Sequence, residues 1–220
     1  MFLARGWSED TAAENQAASS ASAAAASASA SARAAAASAS ASARVARDEE
    51  AATKLVASLR GVPAQLSDYL KKIDADVQQT LADLSATTAD AAKGQGQDCY
   101  NVGTVAYDAS NKVGYDAVLN VGYDADQKIA YTVKQARQDL TSLQNLEQTL
   151  AGERGSPPSD AASVSSNATN AITSAIAHAN SDIDEANAAA TAAFQVAAGL
   201  ATGACVGHAS GTFQPVQHLN

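Results

Sequence analysis

The chain has 220 residues and a formal net charge of −9, because 23 Asp and Glu outnumber 14 Lys and Arg. Of its residues 46% are hydrophobic, but most of that share is alanine, and aromatic residues make up only 5%. The acidic balance excludes the basic stripe that is typical of proteins binding nucleic acid or anionic membranes. Alanine removes little apolar area from water, so this composition favours thin helix–helix contacts over a thick layered core.

The sequence also bears on membranes and export. No apolar run approaches the ~20 residues that cross a bilayer, so no membrane span is expected. The opening segment, Met1 to Trp7, is too short and too soon polar to be a signal peptide. If the chain is secreted, its signal peptide lies outside this numbering.

An alanine/serine tract follows a predicted N-terminal arm over residues 1–16. Residues 23–33 and 34–44 are identical copies of AAAASASASAR, an 11-residue unit. Alternating Ser and Ala would place the serines on one face of a strand. Four consecutive Ala at the start of each unit favour a helix instead, and 11 residues are close to three helical turns. We predict that the tract is helical, with disorder as the next alternative and a strand as the last. We also predict that it mates with another helix of this chain or of a second copy. Its predicted assembly residues are Ser27, Ser29, Ser31, Arg33, Ser38, Ser40, Ser42 and Arg44.

An amphipathic helix is predicted after this tract. Its apolar residues step by four and three positions and form one stripe: Leu66, Leu70, Ile73, Val77, Leu81 and Leu84. Gly61 and Pro63 interrupt the pattern, because proline lacks an N–H group and clashes inside a helix. The sequence therefore predicts helices at about 17–60 and 63–93 with a break at 61–63, the second ending at the glycines of 94–97.

A Tyr-Asp-containing repeat with a period of eight residues comes next. Its tyrosines are Tyr107, Tyr115, Tyr123 and Tyr131. On a strand they would share one face, whereas on an α-helix they would advance about 80° per repeat. A helical stripe runs through the repeat and favours a helix at about 100–151: Val118, Gly122, Ala125, Ile129, Val133, Ala136, Leu140 and Leu143. Two interpretations of the tyrosines stay open, a half-buried stripe at a helix contact and an adhesive or cross-linking face.

Two glycines of the repeat, Gly114 and Gly122, cost about 1 kcal/mol each relative to Ala inside a helix. Close approach of a neighbouring backbone is the expected reason for them. Beyond a loop at 152–158, a last helix is predicted at 159–203, and residues 206–220 are predicted to be a coil tail.

The two cysteines locate a hairpin. Cys99 opens the third predicted helix and Cys205 closes the fourth. If these helices fold back at the Pro157-Pro158 turn, both cysteines arrive at the same end. We therefore predict a Cys99–Cys205 disulfide that ties residues 99–205 together, which indicates an oxidising, extracellular setting. The alternative is two buried free thiols.

Residues that could carry chemistry are few. The histidines are His178, His208 and His218, and none is assigned a metal partner. Acidic pairs such as Asp74/Asp76 and Asp182/Asp184 are expected on polar helix faces. A carboxylate that acts as a general acid or base would need burial, which such a face does not provide. No catalytic residue, metal site or cofactor is predicted, and the chain is not expected to be an enzyme. Asn167 begins an Asn-Ala-Thr glycosylation triplet.

Three families share features with these segments. The Ala/Ser tract at 17–46 resembles the helical, secreted coiled-coil silks of insects, which assemble laterally. The 11-residue units are similar to helical fish antifreeze proteins, with Ser27/Ser38, Ser29/Ser40 and Ser31/Ser42 at the corresponding spacing. The Tyr-Asp-Ala repeat resembles helical desiccation protectants, although their period is 11 and this one is eight. None of the three resemblances assigns a role to a particular residue.

These observations predict an all-α fold of long antiparallel amphipathic helices that form an Ala-rich bundle or coiled-coil-like hairpins. The expected function is that of a non-catalytic secreted structural protein, a component of a fibre, coat, glue or foam. It would act through helix–helix association with itself or with related helical chains. The alternatives are an ice-binding or desiccation-protectant protein and a carrier of small apolar ligands.

Overall fold

A computed structural model describes residues 6–93, 99–208 and 213–220, with side chains described from residue 14 onward. Within these ranges there is no strand, and the predicted all-α class is confirmed. Residues 1–5 of the predicted arm and the predicted helix end at 94–97 lie outside the described residues. The regular elements are α1 (Gly6–Lys93), α2 (Cys99–Asp108), π-helical segments at Ala109–Val113, Asp116–Gly122 and Ala125–Ala130, α3 (Tyr131–Glu153), α4 (Ala161–Leu200) and a 3₁₀ helix (Gly203–His208).

The predicted break at 61–63 is wrong, because α1 continues through Pro63. Proline costs about 3 kcal/mol in a helix interior. Tertiary packing outweighs this local cost, since Leu59, Val62 and Leu66 on either side are buried in one stripe. The predicted arm is also too long, because α1 is already helical from Gly6.

The chain divides into two compact units. The first comprises the chain up to Ala52 together with Leu146–Pro157. Within it, Arg44 Nε lies 2.8 Å from a Glu153 carboxylate oxygen, and the Ser156 amide donates to Glu49 over 3.0 Å. These contacts hold the end of α3 and its loop against α1.

The second unit comprises Thr53–Asn145 and Pro158–Asn220. It contains the C-terminal part of α1, the helical column from Cys99 through the π-helical segments, and α4. Ala-rich α4 supplies a buried stripe that includes Ile172, Ala179, Ile183 and Ala186. Cys99 and Cys205 lie at disulfide distance with their Cα atoms 5.0 Å apart, as predicted from the hairpin.

The π-helical segments follow from a four-residue period in the sequence. Every fourth side chain forms a core row: Val105, Ala109, Val113, Ala117, Val121, Ala125, Ile129 and Val133, each at most 2% exposed. An α-helix has 3.6 residues per turn, so this row would drift by about 40° at each step. Wider i→i+5 turns, inserted once per eight-residue repeat, raise the mean to about four residues per turn. The column therefore keeps the whole row against its neighbours.

The wider turns overturn the predicted stripe and the predicted spiral of tyrosines. Val118, assigned to the stripe, is 39% exposed. From Ile129 onward, where α3 resumes ordinary turns, Ile129, Val133, Ala136 and Leu143 are buried as predicted. The mismatch is confined to the π-helical part, because the sequence analysis assumed 3.6 residues per turn throughout.

The C-terminal tail has no regular structure over residues 213–220, yet it is held in place. The Asn187 side chain accepts a hydrogen bond from the Val216 amide over 2.8 Å and donates one to the Val216 carbonyl over 3.0 Å. Asn180 makes the same pair of bonds with Leu219. Two asparagines, seven residues apart on α4, thus bind the tail much as a neighbouring strand would. The segment predicted as a coil therefore has no regular element over residues 213–220, while its first residues belong to the 3₁₀ helix Gly203–His208.

Candidate functional site

The tyrosine row is the most regular surface feature of the second unit. We use this name for Tyr107, Tyr115, Tyr123 and Tyr131, which are 51–62% exposed. At about four residues per turn, an eight-residue spacing equals two turns, so the four tyrosines share one edge of the column. This edge is offset by two residues from the core row, which places it on the opposite side. The tyrosines therefore lie on the outer edge of the column, with about half of each side chain exposed.

Other exposed apolar side chains lie on the same column. Of the large hydrophobic residues that are exposed in the described chain, all but Val206 fall between Tyr100 and Tyr131. Leu119, 51% exposed, stands between Tyr115 and Tyr123 on the tyrosine edge. Contiguous exposed apolar surface marks interaction sites, and tyrosine is enriched there because it combines an apolar ring with a polar tip.

An aspartate row, Asp108, Asp116 and Asp124, occupies the edge between the core row and the tyrosine row. All three are at most 9% exposed. Lys112 Nζ lies 3.0 Å from Asp108, and Lys128 Nζ lies 2.7 Å from Asp124, each pair spaced four residues apart. Lys72 of α1 also contacts Asp124. Burial by itself would raise the pKa of Asp124, but hydrogen bonds and charges from Lys128 and Lys72 hold that pKa below its ordinary value.

The middle aspartate is the exception in this row. The residue four positions after Asp116 is Asn120, whose amide donates to the carboxylate over 2.8 Å but brings no charge. Burial raises the pKa of Asp116 to about 6, and Asp83 of α1 adds to the shift through a hydrogen bond and its charge. Asp116 therefore holds a proton more tightly than an ordinary aspartate does. Sequence analysis assigned no role to these three aspartates.

A His–Asp cluster joins α1 to α4. His178 Nε2 lies 2.8 Å from Asp74 Oδ1 and 3.5 Å from Asp182 Oδ2. Asp182 is only 7% exposed, which contradicts its predicted place on a polar face. Burial raises the pKa of Asp182 to about 6, and the hydrogen bond with Asp74 raises the pKa of His178. The four-residue spacing of His178 and Asp182 could have predicted their contact on one helix. The contact with Asp74 could not be predicted in this way, because Asp74 comes from a distant segment.

The predicted assembly residues of the Ala/Ser tract are exposed, and residues 14–40 are exposed throughout. Serine hydroxyls of the tract donate to carbonyls of their own helix, for example Ser29 to Ala26 over 2.8 Å and Ser40 to Ala37 over 2.8 Å. Arg44 pairs with Glu153. An assembly contact made by Arg44 would therefore compete with a bond that already exists.

The remaining sequence-derived sites are placed as follows. Asn167 is exposed on α4, so its glycosylation triplet is on the surface. His218 lies 2.7 Å from Asp184, and His208 ends the 3₁₀ helix.

Comparisons of the chain with models of protein families, with curated proteins and with solved structures find no match. Among the described residues, no helix combines the length and apolar character that a bilayer crossing requires.

Proposed function

We propose that this chain is a non-catalytic, secreted structural protein that assembles with further copies of itself. The observation that carries the proposal is the tyrosine row, a straight line of exposed aromatic side chains opposite the core of its unit. Burying such rings against a partner removes a large apolar area from water at a small cost in conformational entropy. The close cysteine pair is compatible with an oxidising compartment.

The Ala/Ser tract supports the same proposal from a second surface. A helix exposed on every face through residues 14–40 has no apolar stripe covered by the described chain. Helices without packing are only marginally stable in water, even when they are rich in alanine. Small side chains allow a second helix to approach closely, so lateral contact with another copy would stabilise the tract.

The test is sedimentation of the full chain over a wide concentration range. We expect the mass to rise with concentration in the wild type. Replacing Tyr115 and Tyr123 by Ser should move this transition to at least tenfold higher concentration, equivalent to about 1.4 kcal/mol. The matched control is the double substitution Tyr100→Ser and Val206→Ser, which removes side chains 80% and 61% exposed outside the row. A wild type that stays monomeric, or a control that weakens assembly equally, would contradict the proposal.

A second candidate, ice binding, is favoured by one observation on the Ala/Ser tract. Its serines satisfy their own donors within the helix, which leaves a regular surface of small methyl groups and hydroxyl oxygens. Thermal hysteresis in the purified monomer would support this candidate over assembly. Its absence, together with concentration-dependent mass, would support the structural role.

A further inference from the structure

Two elements of the second unit bring three metal-ligating side chains together. Asp74 comes from α1, while His178 and Asp182 lie one turn apart on α4. One ligand atom from each residue lies within 4.8 Å of both others. An imidazole nitrogen and two carboxylate oxygens form a mixed donor set, which differs from an ordinary surface cluster of acids.

The second observation concerns Asp182. Its side chain is 10% exposed, and its Oδ2 atom is buried without a hydrogen-bond partner. The same atom lies 3.5 Å from His178 Nε2, so it points into the space between the three groups. A buried carboxylate oxygen that lacks a donor is costly, and a bound cation is one of the few groups that would offset this cost.

We propose that Asp74, His178 and Asp182 form a binding site for a divalent transition-metal ion of the zinc type. Ligand atoms about 2.0–2.1 Å from a tetrahedral zinc are about 3.3 Å from each other. The separation of 3.5 Å between His178 and Asp182 is already close to that value. The 2.8 Å hydrogen bond between His178 and Asp74 must open slightly as the metal replaces the proton.

Charge and access fit the same ion. Two carboxylates and a neutral imidazole balance the charge of one divalent cation. The side chains of His178 and Asp74 are 45% and 48% exposed, which leaves a route for entry and room for water as a fourth ligand. Imidazole selects zinc, copper or nickel, whereas calcium and magnesium prefer all-oxygen sites with more ligands.

A second His–Asp pair, formed by the tail and α4, offers a matched control. His218 lies 2.7 Å from Asp184, at a distance like that between His178 and Asp74, and its side chain is similarly exposed. No second carboxylate is paired with His218 in the described chain, so this pair lacks the third ligand. A histidine that binds zinc merely as an exposed ligand would respond equally at both positions.

The experiment is calorimetric titration of zinc chloride into the full chain after treatment with a chelator. We expect one tight site, at least tenfold weaker binding in His178→Ala and in Asp182→Asn, and a change below twofold in His218→Ala. Zinc should raise the melting temperature of the wild type and of His218→Ala only, because it binds the folded state. Excess magnesium should not compete. Absence of a tight site, retention of binding in His178→Ala, or equal loss in His218→Ala would overturn the proposal. The result is independent of whether the tyrosine row mediates assembly.

Discussion

Val216 occupies the space beside Gly122 that a side chain at residue 122 would need. A Cβ atom built on Gly122 would lie 3.0 Å from Val216 Cγ1 and 3.1 Å from Cγ2. The analogous neighbour of Gly114 is the ring of Phe194, at 3.4 Å. For Gly122 the close neighbour is thus a side chain and not the expected neighbouring backbone. A Cβ on Gly114 would also lie 3.3 Å from the Ala109 carbonyl oxygen of its own column.

Replacing Gly122 by Ala should therefore loosen the tail. The added methyl group pushes against Val216, whose backbone is held by Asn187. We expect faster hydrogen exchange at the Val216 amide and no net gain in stability. Gly61 is the control, since nothing lies within 4 Å of a Cβ built there. Gly61→Ala should raise the free energy of unfolding by about 0.5–1 kcal/mol, measured by chemical denaturation. Unchanged exchange at Val216 in Gly122→Ala would contradict this account of the contact.

Removing one residue from a π-helical segment should be tolerated. Deleting exposed Leu119 from Asp116–Gly122 lets that wide turn close to an ordinary α-turn, so the flanking segments keep their faces. Exposed Gln135 lies in α3, which has ordinary α-turns and no extra residue to lose. Deleting it rotates the part of α3 on one side of the deletion by about 100° relative to the other side. We expect the first variant to retain a cooperative thermal transition and the second to lose most of its stability. Equal damage from the two deletions would count against the four-residue turn as the organising feature.

Acid should stabilise the pair formed by Asp116 and Asp83. The pKa of Asp116 is raised to about 6 in the folded chain from an ordinary value of 3.8. A raised pKa means that the folded state binds the proton more tightly, so this contribution is complete below pH ~4 and is lost as the pH rises through about 6. Asp76 and Asp83 of α1 and Asn120 of the same column are the groups that act on Asp116.

Two variants isolate this contribution. Asp116→Asn should reduce the pH dependence of unfolding between pH 4 and 6 by about 1–2 kcal/mol. Asn120→Lys restores the Asp–Lys spacing of the other two repeats and should flatten the same window by stabilising the ionised carboxylate. Denaturation at several pH values measures both effects. Because the pKa of Asp182 is also raised, the relevant quantity is the difference from wild type at each pH.

The Ala/Ser tract should contribute to assembly and not to the stability of the monomer. Deleting residues 23–40 removes about five whole turns and so preserves the phase of α1 around Arg44 and Val45. We expect an unchanged melting temperature at low concentration, because the deleted side chains are exposed, and a lower oligomer mass at high concentration. If the mass is the same as in wild type, the tract is a solvated spacer.

The sequence predicted the helical class and the cysteine pair because both rest on general rules. Alanine favours helices, and two arms of similar residue number on either side of the Pro157-Pro158 turn bring Cys99 and Cys205 to the same end. The continuation of α1 through Pro63 was not predictable from local rules, since buried neighbours on both sides offset the missing hydrogen bond. The tail was missed because Asn180 and Asn187 look like ordinary polar helix residues. Their role depends on a segment that is distant in the sequence.

The sequence does contain the signal for the tyrosine row, because an eight-residue period aligns the tyrosines on a helix with four residues per turn. Valine and alanine recur at every fourth position from Val105 to Val121, a spacing that would drift around a helix with 3.6 residues per turn. With 3.6 residues per turn, the best apolar stripe includes Val118, which the structure leaves exposed. A strict four-residue period is itself the evidence for wider turns.

A helix with a whole number of residues per turn has a mechanical consequence. Ordinary helices carry apolar lines that wind slowly around the axis, and partners must coil around each other to follow them. In the column from Val105 to Val133, every fourth residue returns to the same angular position around the helix axis, so the buried row runs straight along that axis. Neighbours can therefore lie parallel to its axis over any number of repeats without accumulating twist. Lengthening such a column by further eight-residue units would extend its contact edges without turning them.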